Sequence, residues 1–233
     1  MENKSKNKSN LRWDWMSFLT NFTAVVLGIV LTFAIQKIID NKNEKNDVEK
    51  SLQLVHDELV TNFNELYVCD TAYTKELQAA EFLIKYENDF SLAPIDSLYL
   101  FANEPFILRE MRVVSDAFEL QKMSSLLQKI ENQELSLEII QTYAALNNAA
   151  SSYNSYYEMK LQMWEKANGD EVKEIMSRNS FTAPEMWNAI VSSNDGKVFI
   201  HEIRTKMMMW PQMDEYIDQV KGTIDRIEEY IGQ

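Results

Sequence analysis

Apolar residues recur along this chain every three or four positions, which is the spacing of one face of an α-helix. One such run starts at Val48 and ends at Ile84, with one extra step of four between Leu59 and Phe63. It predicts a helix over residues 47–87. Runs with the same spacing predict the other helices, over 94–102, 108–130, 133–167, 172–176, from Pro184 onward, and over 195–230.

The rest of the pattern also favours helices. No stretch alternates apolar and polar residues for more than a few positions, so no strand is predicted. The chain has only five glycines and four prolines in 233 residues, which favours long helices over architectures with many turns. Pro211 is expected to kink or split the last helix. The helices over 47–87 and 133–167 have similar lengths and can pack side by side. The sequence therefore predicts an all-α fold, an elongated antiparallel helical bundle.

A stretch of 22 residues without a formal charge, Trp15–Gln36, precedes the amphipathic helices. As a helix it spans about 33 Å at 1.5 Å per residue, which matches a hydrocarbon core of about 30 Å. Trp13 before it and Lys37 after it are side chains that favour a membrane interface. The alternatives are a cleavable signal peptide, although no small-residue cleavage site follows, and a buried core helix, although such helices are rarely this long without a charge. The stretch predicts a single transmembrane helix over residues 15–38.

Charge is distributed unevenly along the chain. Residues 1–39 carry five Lys or Arg against two Asp or Glu, a net charge of +3, whereas residues 40–233 carry 18 against 34, a net charge of −16. A body this acidic repels phosphate backbones, so nucleic acid is not expected as a partner. The basic tail, residues 1–14, suits an anionic lipid bilayer and favours a cytoplasmic N-terminus. The acidic domain, residues 39–233, is then expected outside the cytoplasm.

The residue patterns that carry most enzymatic chemistry do not occur in the sequence. The five glycines are isolated from one another, so there is no glycine-rich phosphate-binding loop. Neither His56 nor His201 follows a glutamate by three residues, as a di-iron site in a helical bundle requires. Cys69 is the only cysteine, which excludes cysteine-ligated zinc and an internal disulfide. We therefore predict no catalytic residue, no cofactor, no metal and no enzymatic activity.

A few residues keep a functional interpretation beside a structural one. His56 and His201 are solvated helix residues in the plainer interpretation, and general acid–base groups or ligands in the other. Cys69 is expected in the core, with redox chemistry or an interchain bridge as the alternative. Five aromatic residues at helical spacing are expected to pack in the core, with a pocket for an apolar ligand as the alternative. They are Tyr143, Tyr153, Tyr156, Tyr157 and Trp164.

One face of the predicted transmembrane helix consists of small or polar residues at every fourth position. They are Thr20, Ala24, Gly28, Thr32 and Gln36. Each step of four turns the face by only about 40°, so these residues share one slowly winding surface. Such a surface lets a second helix backbone approach closely, where dispersion and polar contacts hold the two helices together. The face is a candidate interface for a homodimer or for another envelope protein, and chance spacing is the alternative.

Two stretches of the chain resemble known proteins. The first reads Val26-Leu27-Gly28-Ile29, then Ile35-Gln36 and Asn41-Lys42-Asn43-Glu44, and the second reads Ser115-Asp116-Ala117-Phe118-Glu119-Leu120. They resemble the small, uncharacterised single-pass membrane proteins frequent in Bacteroidetes, over about half of the chain. The resemblance implies a helical domain in the bacterial envelope and brings no activity with it. We therefore expect a non-enzymatic interaction or scaffolding protein anchored in the inner membrane, or alternatively a periplasmic ligand-sensing bundle that signals through a partner.

Overall fold

The computed structural model describes residues 11–178, 180–208 and 213–232, and within them it contains helices and connecting segments but no β-strand. The α-helices are α1 (Leu11–Lys85), α2 (Ile95–Phe101), α3 (Asp116–Met123), α4 (Gln133–Ala167), α5 (Asp170–Ser177), α6 (Ala183–Ser192), α7 (Asn194–Met208) and α8 (Met213–Ile231). Short 3-10 turns lie at Phe90–Leu92, Glu104–Phe106 and Leu127–Lys129. The described chain is therefore all-helical, as the apolar spacing predicted.

The chain divides into two compact units, Met1–Lys50 and Ser51–Gln233. In the first unit, every side chain from Phe22 to Asp47 is exposed. Part of this stretch is long and apolar enough to cross a membrane, by length and composition alone, and a signal sequence passes the same test. The first unit therefore carries one candidate membrane-spanning helix within its described residues.

Helix α4 has the bounds that the sequence predicted, because its N-terminus has a capping residue. The side chain of Asn132 accepts hydrogen bonds from the backbone N–H groups of Glu134 and Leu135 at 3.1 and 3.2 Å. These bonds satisfy two amides that have no partner inside the helix. The helix then ends at Ala167, and Asn168 is its C-cap residue.

Two prolines, Pro184 and Pro211, were expected to shape the helices in the C-terminal part of the chain, and the structure describes only the first of them. Helix α6 begins at Ala183, and Pro184 occupies its first turn, where a missing N–H group costs nothing. Pro211 was expected to kink or split a helix over 195–230, but it lies outside the described residues. Helices α7 and α8 lie on either side of it.

The buried face of α1 in the second unit corrects the predicted one. Its members lie at steps of three, four or seven: Leu52, Val55, Leu59, Asn62, Leu66, Cys69, Glu76, Ala80 and Leu83. The extra step from Leu59 to Phe63 is therefore wrong, because Asn62 continues the face and Phe63 lies beside it. An apolar pattern misses this register since Asn62 and Glu76 are polar residues at core positions.

Helices α1 and α4 run in the same direction. Glu58 of α1 is hydrogen-bonded to Tyr143 of α4, and further along both helices Glu76 is bonded to Lys160. The antiparallel arrangement expected from the sequence is therefore wrong for this pair. Two parallel neighbours need a long connection that returns the chain to its starting end. Residues 86–132 provide it.

Helix α8 runs opposite to α4. The hydroxyl groups of Thr142 and Thr223 lie 2.8 Å apart, and Glu138 is paired with Arg226 three residues further along α8. Helix α4 also contacts α7, and α6 contacts α5 and α7. The long helix α4 therefore contacts α1, α7 and α8.

The connection between α1 and α4 contains a non-helical segment, residues 107–115, where the sequence predicted the start of a helix over 108–130. Within that range, α3 covers only Asp116–Met123 and a 3-10 turn covers Leu127–Lys129. Ser125, between them, has a φ of 60°, which breaks the helical path. The prediction of one continuous helix is therefore wrong.

Side chains from α1 and α4 take the place of helical hydrogen bonds along this segment. Asn62 donates to the carbonyl of Val114 and accepts from its N–H group, each at 2.8 Å. Asn154 binds Met111 in the same way, accepting at 2.9 Å and donating at 3.1 Å. The two asparagines thus satisfy both backbone groups of two residues in the segment, and they tie it to both long helices.

The start of α3 is also capped from a distance. Ser115, its N-cap residue, makes no side-chain capping bond. Instead the carboxylate of Glu58 accepts the N–H groups of Ala117 and Phe118 at 2.7 and 3.3 Å, and it accepts the hydroxyl of Tyr143 as well. A negative group at a helix N-terminus is favourable because the free amides and the helix dipole both point positive charge toward it. Helix α3 therefore depends on a residue of α1.

An aromatic cluster fixes the 3-10 turn that comes just before the non-helical segment. The ring of Phe106 lies 4.7 Å from that of Trp164 and 5.3 Å from that of Trp187. Trp187 is fully buried and its indole N–H donates to the carbonyl of Ala102 at 3.2 Å. Aromatic packing of this kind adds to the burial of the rings themselves. The turn is held against α4 and α6 in this way.

Replacing Asn62 by alanine is expected to destabilise the protein by about 1–3 kcal/mol, because the change removes both hydrogen bonds to Val114 and leaves their partners unpaired. The measurement is urea unfolding of the full chain in mild detergent, followed by circular dichroism.

Thr71→Ala is the matched control for that experiment. Thr71 is exposed on the same helix, and its hydroxyl bonds only to the carbonyl of Tyr67, one turn earlier. This variant should unfold within about 0.5 kcal/mol of the wild type. An Asn62 variant as stable as the control would show that these bonds do not hold the segment.

Candidate functional site

A buried ion pair lies between α1 and α4. The ammonium group of Lys160 donates to a carboxylate oxygen of Glu76 at 2.6 Å, and the two side chains are only 1% and 4% exposed. Lys160 also donates to the carbonyl of Ile107 at 2.7 Å, and the hydroxyl of Tyr156 donates to Glu76 at 3.1 Å. The ring of Tyr157 lies 4.5 Å from the ammonium, within the range of a cation–π contact. Lys160 therefore joins α1, α4 and the non-helical segment at one point.

Burial shapes the ionisation of this pair. It raises the pKa of Glu76, against the lowering effect of Lys160 and Tyr156. It lowers the pKa of Lys160, against the raising effect of Glu76. Each charge is thus stabilised by the other in a place where neither is stable alone.

Two adjoining cavities open beside the ion pair. The inner one has a volume of about 200 Å³ and is lined by Pro105, Phe106, Leu108, Lys160, Leu161 and Trp164. The outer one has a volume of about 320 Å³ and is lined by Leu108, Arg109, Glu110, Asn154, Tyr157, Glu158 and Leu161. Because Leu108 and Leu161 line both, the two cavities lie side by side between the non-helical segment and α4. We call them together the cleft.

The charged groups of the cleft differ in their partners. Glu110 is engaged by Arg112, whose guanidinium donates to it at 2.9 Å. Arg109 is half-buried and has no hydrogen bond or ion pair within the described part of the chain. Glu158 is exposed. The cleft thus combines apolar walls with one cation, Arg109, that is free to bind an anion.

The predicted aromatic cluster is divided by the structure. Tyr143 lies in the core, where its ring stacks on that of Phe118 at 4.1 Å. Tyr153 and Tyr156 are buried as well, as the structural interpretation expected. Tyr157 and Trp164 reach the cleft and line its outer and inner cavities. The structural interpretation is therefore confirmed for Tyr143, Tyr153 and Tyr156, and the ligand pocket stays a prediction for Tyr157 and Trp164.

Cys69 is fully buried, and burial together with the nearby Glu65 raises the pKa of its thiol to about 11. At neutral pH the group is therefore a thiol and not the thiolate that redox and nucleophilic chemistry require. The geometry favours the interpretation of Cys69 as a core residue.

Both histidines tie distant parts of the chain together. The Nε2 atom of His56 on α1 lies 2.9 Å from Glu228 on α8, and its Nδ1 atom lies 2.9 Å from Asp57. His201 on α7 lies 2.7 Å from Glu87, just after α1. Burial acts to lower the pKa of His56, but the hydrogen bonds and charges of Asp57 and Glu228 outweigh it and raise the pKa. In the described residues, no group of three or more His, Cys, Asp and Glu side chains lies in an arrangement that holds a metal.

The face predicted as a membrane-helix interface lies on α1 in the first unit. Its described residues Thr20, Ala24, Gly28, Thr32 and Gln36 are all exposed. The hydroxyl of Thr32 donates to the carbonyl of Gly28 at 2.8 Å, and the amide of Gln36 donates to Asp40 at 3.0 Å. A side chain added at Gly28 meets no atom within 4 Å. The face is therefore open in the single chain, and its role as an interface stays a prediction.

Comparison of the chain with protein-family models, with curated proteins and with solved structures found no match. The resemblance to single-pass Bacteroidetes proteins therefore stays a prediction as well.

The sequence did not single out Glu76, Lys160 or Arg109. A signal existed for the first two, because each is a charged residue at the spacing of an apolar helix face. No signal existed for Arg109, since its place in the cleft depends on the non-helical segment. The asparagines that hold this segment are more than 40 residues away from Arg109 in the chain.

Lys160→Met is expected to destabilise the protein by about 3–5 kcal/mol, because it leaves the Glu76 carboxyl buried without its partner. Adding Glu76→Gln to the same chain should restore part of this loss, since both charges are then gone. Urea unfolding of the full chain measures both variants. The control is Lys122→Met, which breaks a half-exposed pair with Glu119 and should cost about 1 kcal/mol or less. A double variant less stable than Lys160→Met would contradict this account.

The His56 contacts are expected to make stability depend on pH. Since the pKa of His56 is higher in the folded chain than its ordinary value of 6.5, the stabilisation is complete below pH 6.5 and disappears as the pH rises through the folded pKa. Wild type should therefore lose stability relative to His56→Gln between mildly acidic and mildly alkaline pH, in urea unfolding at a series of pH values. If the wild type instead became more stable relative to His56→Gln as the pH rises, this account of His56 would be contradicted.

Proposed function

We propose that this chain is a membrane-anchored, non-enzymatic interaction or scaffolding protein of the bacterial cell envelope. The observation that carries the proposal is the division of the chain into two units of different character. The first contains an apolar helical stretch whose side chains are all exposed from Phe22 to Asp47. The second, Ser51–Gln233, has a packed core of its own. An exposed apolar stretch of this length needs a bilayer around it, because water solvates it poorly.

The proposed orientation has the N-terminus in the cytoplasm and the helical domain in the periplasm. The basic tail before residue 15 supports it, since lysines and arginines beside a first span favour the cytoplasmic side. The net charge of −16 over residues 40–233 supports a domain that stays away from anionic phospholipid surfaces and from nucleic acid. The lipid bilayer is then the first partner, and a second copy or another envelope protein is the next.

The second candidate function is ligand sensing by the helical domain, with the signal passed to a partner protein. The cleft favours it, because its walls come from α4 and from a segment that is tied to α1 by Asn62. Occupation of the cleft would act on two long helices at once. Helical elements that share such a site can shift together when a ligand binds.

The topology test uses reporter fusions after Gln233 in a bacterial host, together with protease added to intact spheroplasts. A periplasmic reporter should be active and the domain should be digested, because the proposal places residues 51–233 outside the cytoplasm. A full-length chain that resists protease until the spheroplasts are lysed would reverse the orientation. Release of a soluble, shortened chain would identify the apolar stretch as a cleaved signal sequence.

The partner test is chemical cross-linking in membranes followed by affinity purification. A discrete cross-linked species of stable composition supports the scaffold, and a species of twice the chain mass identifies a second copy. Gly28→Ile blocks close approach at the small-residue face, and Val26→Ile is the control outside that face. Loss of the dimer in Gly28→Ile alone supports the face, and equal dimers in both variants exclude it. Only monomeric chain in every sample would contradict the scaffold.

A further inference from the structure

The inner cavity of the cleft has the size and surface for one small apolar group. Its volume of about 200 Å³ is comparable with the roughly 150 Å³ of an engineered cavity that binds benzene. Phe106 and Trp164 contribute aromatic walls, and Leu161 contributes an aliphatic one. An aromatic ring or a short alkyl chain fits this surface, since ligand cavities bind mainly by burying apolar area.

The outer cavity contains one arginine, Arg109, that forms no ion pair with a carboxylate of the described chain. Lys160 is already held by Glu76 and by the carbonyl of Ile107. Arg109 has neither a hydrogen bond nor an ion pair in the described residues, although it is half-buried. A half-buried guanidinium has lost part of its hydration and binds a carboxylate with two parallel hydrogen bonds. The polar end of the ligand is therefore anionic.

The acidic residues of the outer cavity limit how much negative charge the ligand carries. Glu110 and Glu158 line the same cavity as Arg109. Glu110 is compensated by Arg112, but the exposed Glu158 forms no ion pair within the described residues. A second anionic group on the ligand would meet this carboxylate. The site therefore favours a single negative charge over a dicarboxylate or a phosphate.

The walls of the cleft are held in place before any ligand arrives. Asn154 lines the outer cavity and binds both backbone groups of Met111, two residues after Arg109. Lys160 lines the inner cavity and binds the carbonyl of Ile107, two residues before Arg109. The segment that carries Arg109 is thus fastened on both sides of it. A site that needs little ordering on binding loses less affinity to conformational entropy.

We propose, on the basis of the ligand-sensing function above, that the cleft binds a small amphipathic monocarboxylate. Its aromatic or alkyl part lies in the inner cavity between Phe106 and Trp164, and its carboxylate lies in the outer cavity against Arg109. No bond is made or broken, so the ligand leaves unchanged.

The test is isothermal titration of hydrocinnamate into the full chain in lipid nanodiscs, with empty nanodiscs as the blank. Hydrocinnamamide, the neutral amide of nearly the same shape, is titrated in parallel. Hydrocinnamate should bind at least about tenfold more tightly than the amide, because only the anion makes charge-assisted hydrogen bonds to a guanidinium. The proposal would be overturned if the heat of titration with the protein were no greater than with empty nanodiscs. It would also be overturned if hydrocinnamate and hydrocinnamamide bound with equal affinity.

Two variants and one control locate the binding. Arg109→Gln should weaken hydrocinnamate about tenfold and leave the amide unchanged. Leu161→Trp fills the wall that the two cavities share and should abolish binding of both compounds. Arg178→Gln changes an exposed arginine that lines neither cavity and pairs with no residue of the cleft, and it should bind hydrocinnamate as the wild type does. Thermal unfolding checks that each variant is folded.

Failure of the proposed binding site and failure of the proposed function would give different experimental results. Unchanged hydrocinnamate affinity in Arg109→Gln, with Arg178→Gln also unchanged, would overturn the assignment of the anion to Arg109. Binding to the purified chain does not depend on topology or on a partner. A titration without specific binding would therefore contradict the proposed ligand but not the anchored scaffold. A reversed topology would contradict the proposed orientation but would not change the result of the titration.

Discussion

The second unit depends on one constraint, which is that the backbone of residues 107–115 finds hydrogen-bond partners although it is neither helix nor strand. Unpaired backbone groups close to a protein core cost free energy, so such a segment is stable only where side chains reach it. Asn62 and Asn154 do so with paired bonds to Val114 and Met111, and Lys160 holds Ile107. The constraint arises because α1 and α4 are parallel, so the chain must return along them before α4 begins.

The same constraint explains why polar residues occupy core positions of the long helices. Asn62 lies in the buried face of α1 and Asn154 beside that of α4, each where an apolar side chain would leave the connection unbonded. Lys160 is buried for the same purpose, and its charge in turn requires Glu76. A buried ion pair of this kind adds little stability by itself, but it disfavours other registers, since a slip of either helix would leave both charges buried without a partner.

The sequence predicted the class of the fold and the bounds of α4 because these follow from local spacing and from a local cap at Asn132. It did not predict the register of α1 beyond Leu59, because the apolar pattern skips polar core residues such as Asn62. It also failed at residues 107–115, where the amphipathic spacing is helical but the hydrogen-bond partners come from elements 40 to 60 residues away. Long-range partners of this kind leave no local signature, and tertiary contacts then override helix propensity. Two of the three aromatic residues of the cleft, Tyr157 and Trp164, were found because they share a local period, whereas Phe106 and Arg109 were not.

The cleft follows from the same departure from helical structure. Two helices pack side by side with interlocking side chains, and this leaves little empty volume between them. A non-helical segment fastened at a few points cannot interlock with α4 along its length, so space stays open between Leu108 and Leu161. The bonds that hold the segment also decide which side chains border that space, and they place Arg109 there without a carboxylate partner. The element that the apolar pattern failed to predict is therefore the one that creates a cavity with a free charge, and local rules are expected to fail most often at such sites.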